Sequence, residues 1–145
     1  MITVDGFFEH QHRGKKTFPY FIRKQNGDAM TMAGLWAEWL DRETGVWERT
    51  FSIVTCKANP LLTGIHNNPQ LAEARMPLLL TDNNADEWLQ PIRNKSDQEQ
   101  IQSLVQASSE ELIAYTVRPL RGKLALGNRP EVTKEYFYDE LNELF

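Results

Sequence analysis

Short stretches of alternating apolar and polar residues fill the first half of the chain, and clusters of turn residues separate them. This alternation predicts half-buried β-strands joined by short connections between antiparallel neighbours. The hairpin signal is strongest where Asn26 precedes Gly27, a dipeptide that suits a tight turn. The predicted strands cover residues 2–9, 17–24, 30–36 and 46–56. This half therefore predicts a β-meander or barrel.

The second half mixes helical and strand patterns. Asn59 ahead of Pro60 predicts a short helix through residue 65, because asparagine caps helices and proline suits the first helical position. Ser96 and Glu99 have the spacing of a capping box ahead of Ile101 and predict a further helix. The remaining predictions are a strand at 75–80, a helix at 82–90 with Trp88 and Leu89 inward, a helical turn leading into a strand at 110–118, and a terminal helix at 131–145. Together these elements predict an α+β fold with a mainly antiparallel, barrel-like sheet and short helices.

Composition narrows the class of protein without identifying a function. The 145 residues suit one domain spanning 1–145, and 41% hydrophobic with 25% charged residues is typical of a folded chain. No stretch has the length of apolar sequence that crosses a membrane, and the first residues lack the pattern of a secretory signal. The single cysteine, Cys56, favours a reducing compartment. We therefore expect a soluble cytoplasmic protein.

Charge is distributed unevenly along the chain. The formal net charge of −4 argues against a general nucleic-acid coat. Residues 1–75 nevertheless hold nine basic against eight acidic residues, whereas residues 76–145 hold seven against twelve. A local basic cluster without acidic residues consists of Arg13, Lys15, Lys16, Arg23 and Lys24. Such a cluster suits a phosphate backbone, and it equally suits a solvated hairpin surface.

Two residues are candidates for proton transfer. Glu9 follows two aromatic residues at the end of the first predicted strand, and His66 closes the helix predicted after Asn59, where a side chain can face a cleft. Carboxylate and imidazole groups are common general acids and bases. A metal site built from Glu9, His10 and His12 is the weaker alternative, because these ligands come from one turn and no further Cys or His completes the set. We expect no metal and no cofactor.

For Cys56 and Trp36 we prefer structural interpretations to functional ones. A lone cysteine near the end of a strand is more often a small buried hydrophobe than a nucleophile, and nothing near it in the sequence suggests a stabilised thiolate. Trp36 follows Gly34 and Leu35 in a predicted strand, so we expect it in the core rather than stacked on a base. The chain has no P-loop, dinucleotide fingerprint, nucleophile elbow or zinc-protease motif.

Several segments, in order along the chain, resemble the SOS-response-associated peptidase (SRAP) family. They are DGFFE at 5–9 (DGFYEW in the family), KKTFPYFI at 15–22 (KKQPYFI), AGLW at 33–36 (AGLW), FSIVTCKAN at 51–59 (FTIITTxAN), IHN at 65–67 with RMPLLL at 75–80 (IHxRMPVIL), and LGN at 126–128 (VGN). The stretch between His66 and Arg75 is longer than in the family pattern. The ordered set covers most of residues 5–128.

The resemblance implies a compact β-rich domain that binds single-stranded DNA and senses abasic sites in the SOS response to DNA damage. In the family, an N-terminal cysteine condenses with the ring-opened abasic aldehyde, and the resulting thiazolidine links the protein to DNA. By this resemblance Glu9 and His66 assist the proton transfers, and Thr55 and Arg75 contact DNA. The resemblance also implies autocatalytic removal of the residues before that cysteine, an enzyme of peptidase and lyase type, and a location near the nucleoid.

The chain departs from the family pattern at its start. Family members begin Met-Cys whereas this chain begins Met1-Ile2, so we expect the first part of the domain, with its nucleophile, to be missing. The family tryptophan after the glutamate is His10 here. An exposed sheet edge left by missing strands would promote self-association.

Two hypotheses follow from the resemblance. The first is the C-terminal portion of an abasic-site crosslinking enzyme, with Glu9 and His66 in one cleft and Arg75 at its rim. The second is a non-enzymatic descendant that binds single-stranded DNA or is purely structural. Outside this family, a β-barrel RNA binder would need stacking aromatic residues on an exposed face.

Overall fold

The computed structural model describes residues 1–106 and 111–142, and the elements below lie within them. The strands, in chain order, are β1 Ile2–Val4, β2 Phe7–Arg13, β3 Lys16–Lys24, β4 Met30–Met32, β5 Gly34–Leu40, β6 Trp47–Ile53, β7 Thr55–Lys57, β8 Arg75–Pro77, β9 Leu79–Leu80 and β10 Leu112–Thr116. The helices are α1 Pro60–Ile65, α2 Asp82–Trp88, α3 Lys95–Ser103 and α4 Asp139–Asn142, with a 3-10 turn at Pro130–Thr133.

Antiparallel pairing organises the described strands into two three-stranded sheets and two two-stranded ribbons. β3 lies between β10 and β2, and β4 lies between β1 and β9. The ribbons are β5 with β6 and β7 with β8. The predicted α+β class with mainly antiparallel strands is confirmed, although the described strands do not close into a barrel.

The Asn26-Gly27 turn forms, but it does not make the predicted hairpin. Gly27 has a φ of 83°, in the left-handed region that glycine tolerates, and its N–H donates to Lys24 O over 3.2 Å. The strands on either side, β3 and β4, belong to different sheets. The local turn signal was therefore read correctly, whereas the partner of each strand depends on contacts far away in the sequence.

Three strand breaks meet at one point and join the β1–β4–β9 sheet to the two ribbons. Ala33 separates β4 from β5, Val54 separates β6 from β7, and Leu78 separates β8 from β9. Their backbones bond in a closed triangle: Ala33 N–H donates to Leu78 O over 2.9 Å, Leu78 N–H to Val54 O over 2.8 Å, and Val54 N–H to Ala33 O over 3.0 Å. Each long predicted strand thus bends at this triangle and changes partners.

The main core packs around this triangle. Its buried members are Ile22, Met30, Met32, Ala33, Cys56, Leu62, Met76, Leu78, Leu79 and Leu80. Burial of this apolar surface is the principal driving force for folding. Cys56 is among these residues, as the sequence interpretation predicted. Within residues 1–106 and 111–142, no helix combines the length and apolar character that spanning a membrane requires.

The β5–β6 ribbon overturns the prediction that Trp36 lies in the core. Trp36 is 70% exposed, and its cross-strand partner Phe51 is 71% exposed. Trp47 pairs with Leu40 on the same face of the ribbon, because partners and alternate residues share a face. Both are also exposed. An apolar strand residue is buried only if another layer covers its face, and no described element covers this one.

The helical predictions succeeded where the capping signal was local and unambiguous. Asn59 accepts a hydrogen bond from Leu62 N–H over 2.9 Å and Pro60 opens α1, as predicted. The Ser96–Glu99 capping box is wrong: Asn94 caps α3 by accepting from Asp97 N–H over 3.0 Å, and Asp97 accepts from Arg93 N–H in return. The sequence offers both Asn94 and Ser96 as capping residues, and Asn94, the upstream one, caps the helix.

One prediction near the C-terminus and one at the end of α2 are wrong. The predicted helix at 131–145 is wrong, since the chain forms a 3-10 turn, an extended stretch and only then α4, with residues 143–145 outside the described part. Tyr138 in that stretch donates to Val117 O over 2.8 Å. The strand predicted within 110–118 is confirmed as β10, but the helical turn predicted at its start falls partly on residue 110, which lies outside the described residues. Trp88 packs against the core as predicted, whereas Leu89 is 57% exposed.

Candidate active site

Glu9 lies in the middle of β2, the outer strand of the β10–β3–β2 sheet. Gly6 just before β2 permits this strand to pass close to β3, because a Cβ at this position would lie 2.5 Å from Ile22 O. The Oε1 of Glu9 accepts a hydrogen bond from His10 N–H over 2.7 Å. This bond leaves Oε2 directed to another partner.

That partner is His66, which ends α1. Its N–H donates to Leu62 O over 2.7 Å, so the helix end fixes the backbone of the histidine. His66 Nδ1 lies 3.1 Å from Glu9 Oε2. Nδ1 is buried and makes no aligned hydrogen bond within residues 1–106 and 111–142, so the contact with Glu9 is a close approach of two polar atoms. The structure thus brings together two residues that are far apart in the sequence.

Polar contacts fasten the end of α1 to β2 and set this distance. The Asn67 side chain accepts from His12 N–H over 2.6 Å and donates to His12 O over 2.9 Å, which continues the sheet pattern by one residue. Gln11 Nε2 donates to Gly64 O over 2.8 Å. These three bonds hold the helix end and the outer strand in register.

A cavity of about 500 Å³ opens beside the pair. Its lining residues are Glu9, His10, His12, Thr17, Pro19, His66, Asn68, Pro119, Leu120 and Arg121. The expectation that Glu9 and His66 share a cleft agrees with this arrangement. The cavity is large enough for a small polar ligand and brings a carboxylate and an imidazole to its wall.

Thr55 and Arg75 form a separate cluster on the β7–β8 ribbon and do not line the cavity. The guanidinium of Arg75 donates from Nε to Thr55 Oγ1 over 3.0 Å and from Nη2 to Thr55 O over 2.7 Å. Nη1 lies 3.1 Å from Glu73 Oε1. Arg75 is therefore held in one orientation with two of its five N–H donors left for a ligand.

Cys56 neighbours this cluster but points into the core. It is 3% exposed, and burial raises the pKa of its thiol although the nearby Arg75 opposes the shift. Both observations describe an unreactive thiol. Among residues 1–106 and 111–142, no group of three or more His, Cys, Asp or Glu side chains is placed to hold a metal ion.

Sequence reasoning missed Gln11, Asn67 and Asn68, and it also missed Arg121. Asn67 directly follows His66, and that adjacency was the one available signal. Arg121 follows β10, and the pairing of β10 with β3 brings it to the cavity. No local sequence pattern predicts this pairing.

Comparisons with known proteins show which sequences and structures this chain is similar to. The family model described as SOS response associated peptidase (SRAP) matches residues 1–123. The Bacillus subtilis protein named abasic site processing protein YoqW is 33% identical over 138 residues, which cover 94% of this chain and 57% of that protein. Abasic site processing protein YobE of the same organism is 31% identical and is covered to 56%. A solved structure from Bacteroides thetaiotaomicron superposes with a TM-score of 0.77 at 31% identity, covering 94% of this chain and 56% of that one. The chain thus spans a little over half the length of these relatives.

Proposed function

The chain belongs to the SOS response associated peptidase family, and on that premise we propose that it takes part in processing abasic sites in DNA. The proposed substrate is single-stranded DNA with an abasic site, and the proposed product is a covalent DNA–protein crosslink. Residues 1–145 would form part of one SRAP domain. The single observation that carries the proposal is the 3.1 Å approach of His66 Nδ1 to Glu9 Oε2 at the wall of one cavity.

The proposed chemistry needs proton transfers that this pair can supply. The ring-opened abasic sugar presents an aldehyde, and the α-amine of an N-terminal cysteine adds to it and then loses water to form a Schiff base. The thiol sulfur then adds to the same carbon, its proton passes to nitrogen, and a thiazolidine results. In the reverse direction the C–S bond breaks as a proton returns to sulfur, and water then hydrolyses the Schiff base to the aldehyde and the free amine. Each step moves a proton to or from oxygen, nitrogen or sulfur, which is work for a carboxylate and an imidazole in contact.

The nucleophile of this proposal is not a residue of the chain described here. Cys56 is the single cysteine of the sequence, and it is buried. Within a peptide chain it also lacks the free α-amine that closes a thiazolidine. The chain would therefore contribute the acid–base part of the site, and an N-terminal cysteine from the remainder of an SRAP domain would complete it.

Thr55 and Arg75 are proposed to contact the DNA backbone. Two hydrogen bonds donated by Arg75 to Thr55 hold the guanidinium in place and leave other N–H donors for a ligand. Arginine suits phosphate because its planar donors match two phosphate oxygens. These contacts would position the strand without reading its sequence.

A chimera tests the assignment of roles. The preceding part of the SRAP domain, including its N-terminal cysteine, would be taken from the Bacillus subtilis relative YoqW and joined to this chain. We expect the chimera to form a denaturation-resistant band with abasic single-stranded DNA. Glu9→Gln and His66→Asn should each slow band formation by about 100-fold, the lower range of general acid–base effects. Glu48→Gln removes an exposed carboxylate from the β5–β6 ribbon and serves as the matched control.

The outcomes separate the two functional hypotheses. A band that forms equally fast in the Glu9→Gln, His66→Asn and control chimeras would contradict the acid–base roles. Binding of abasic DNA without any band, even with the cysteine supplied, would favour the non-enzymatic alternative. A band from the 145-residue chain alone would require another nucleophile and would overturn the interpretation of Cys56.

Two further activities belong to the same proposal. Autopeptidase activity would remove residues placed ahead of the N-terminal cysteine, and mass spectrometry of a chimera with such an extension measures it directly. The proposed location of the protein is the cytoplasm, in association with the nucleoid, because the proposed substrate is DNA. Cofractionation of the tagged protein with chromosomal DNA checks that location.

Self-association through the β5–β6 ribbon is the proposed interaction between copies. Each strand of the ribbon has one edge without a described partner strand, and one face exposes Trp36, Leu40, Trp47, Phe51 and Ile53. An isolated ribbon of two strands is marginally stable in water, and open apolar edges promote pairing. Light scattering should show a mass above that of one chain, lowered by Trp36→Thr. If Trp36→Thr instead weakens nucleic-acid binding at constant mass, base stacking explains the exposed face better.

A further inference from the structure

The cavity beside Glu9 and His66 has a floor made by one face of the β2–β3 pair. His10 lies opposite Pro19, and His12 lies opposite Thr17. Directly opposed and alternate strand residues share a face of the sheet. All four of these residues line the cavity. The side chains of His10 and His12 therefore share one face of the sheet, and they line the same cavity as Glu9 and His66.

Arg121 also lines this cavity. It belongs to the segment that follows β10, and Pro119 and Leu120 of that segment also line the cavity. Within the described residues, no hydrogen bond or ion pair engages the guanidinium of Arg121 or the rings of His10 and His12, whose bonds involve backbone atoms alone. Three groups that can donate N–H bonds thus face one space without a protein acceptor.

The charge balance of the lining favours an anion. Glu9 is the one carboxylate among the lining residues, and its Oε2 already lies 3.1 Å from His66 Nδ1. Arg121 brings a permanent positive charge, and an imidazole carries at least one N–H donor in either protonation state. Phosphate oxygens accept such bonds, and a guanidinium engages two of them at once.

We propose that His10, His12 and Arg121 form a phosphate subsite that holds a phosphodiester of single-stranded nucleic acid next to the Glu9–His66 pair. This inference rests on the proposed function and extends it to three residues and one ligand group. The role of the subsite is binding: it would place the neighbouring sugar against the two proton-transfer residues, as positioning by remote contacts does in general.

The surface beyond the cavity continues the same path. The β2–β3 register runs from the His12–Thr17 pair to the Arg13–Lys16 pair, so the basic turn begins where the cavity floor ends. Lys15 lies in that turn. Lys16 already contacts Glu140 over 2.8 Å, and the turn therefore offers Arg13 and Lys15 as the more available cations. A single-stranded nucleic acid with one phosphate in the subsite would continue along this turn.

Equilibrium binding to the 145-residue chain tests the subsite without any covalent step. The probe is a fluorescein-labelled single-stranded oligonucleotide that contains tetrahydrofuran, an abasic analogue without an aldehyde, and the readout is fluorescence anisotropy. Arg121→Gln should weaken binding by about 10-fold and lower the slope of log K against log salt by about 0.7, the value for one phosphate contact on a single strand. His10→Gln with His12→Gln should weaken binding further. Arg42→Gln removes one exposed charge at the tip of the β5–β6 ribbon and should change neither quantity.

Inorganic phosphate distinguishes the two sources of the ligand group. We expect millimolar phosphate to shift the imidazole NMR signals of His10 and His12 and to displace the oligonucleotide, while the oligonucleotide binds more tightly. If phosphate shifts these signals but the oligonucleotide does not bind, the nucleic-acid ligand is wrong. If Arg121→Gln behaves like Arg42→Gln, the subsite is wrong.

The failure of the subsite is distinct from failure of the proposed function. Loss of binding in Arg75→Gln together with normal binding in Arg121→Gln would reject the subsite and leave the proposed function standing. A chimera that binds DNA through Arg121 yet never crosslinks would reject the crosslinking function and keep the subsite. Circular dichroism of each variant confirms that it is folded.

Discussion

Replacing Gly6 by alanine is the sharpest test of how β2 is placed. An alanine Cβ would lie 2.5 Å from Ile22 O and 2.7 Å from Phe21 Cε2, closer than real Cβ contacts. Ile22 is fully buried in the central strand β3 and pairs with both Phe7 and Ala114. Its carbonyl cannot withdraw without disturbing one of these pairings. The new methyl must therefore push β2 away from β3.

The free-energy cost of this substitution depends on which atoms the added methyl group contacts. Inserting a methyl into a tightly packed site costs about 1–3 kcal/mol, and contact with backbone in a central strand argues for about 3 kcal/mol. With a urea m-value of about 2 kcal/mol/M, the unfolding midpoint should fall by about 1.5 M. Because β2 carries Glu9, the same shift should also slow crosslinking by the chimera described above.

Urea unfolding followed by circular dichroism measures the effect, and Gly64→Ala is the matched control. Gly64 lies in α1, and apart from its chain neighbours and the backbone of its own helix, no described atom lies within 4 Å of an added Cβ. Alanine is preferred over glycine in a helix by about 0.5–1 kcal/mol, so this variant should be slightly more stable than the wild type. A Gly6→Ala midpoint within about 0.3 M of the wild type, as judged from m-values of this size, would refute the close approach of β2 to β3.

Three further predictions follow from single contacts. Asn59→Ala removes the acceptor of the Leu62 N–H bond and should lower the free energy of unfolding by about 1 kcal/mol in a urea titration, the usual cost of losing such a cap; an unchanged midpoint would contradict it. Cys56, whose thiol pKa is raised by burial, should react with a disulfide reagent slowly in buffer and rapidly in denaturant; equal rates would contradict its burial. The hydrogen bond from Lys16 lowers the pKa of Glu140, so their contact stabilises the fold above the unfolded pKa of glutamate and is lost as pH falls through the lower folded value. NMR titration should show the Glu140 pKa rising in Lys16→Gln and staying in place in Lys15→Gln.

Local sequence patterns predicted the elements whose signals are complete within a few residues. Asn59 and Pro60 determined the start of α1, because a cap and a fixed φ act on the next turn of the same segment. The competing signals at Asn94 and Ser96 show the limit of this reasoning. Both positions have a side chain able to cap, and only the geometry of the upstream chain selects Asn94.

Burial was predicted less well, because it is a property of two surfaces and not of one residue. Trp36 is a large apolar residue of the kind found in cores, yet it lies on an exposed ribbon. Trp88 packs against the core, and its Nε1 donates to Gly34 O over 3.3 Å. Nothing within either segment distinguishes the two. The layer that covers Trp88 comes from distant parts of the fold, and no described element covers the exposed face of the ribbon.

By itself the sequence determined the α+β class, the capped helix before His66, the lone buried Cys56 and, through a resemblance along most of its length, the family. The tertiary structure alone decided that Glu9 and His66 lie 3.1 Å apart and that Arg121 joins them at one cavity. Helix caps and turns arise from bonds between near neighbours, which a short segment contains completely. A site is different, because its distances are set by strand pairing and by long-range contacts such as Asn67 with His12, which form only when the whole chain has folded.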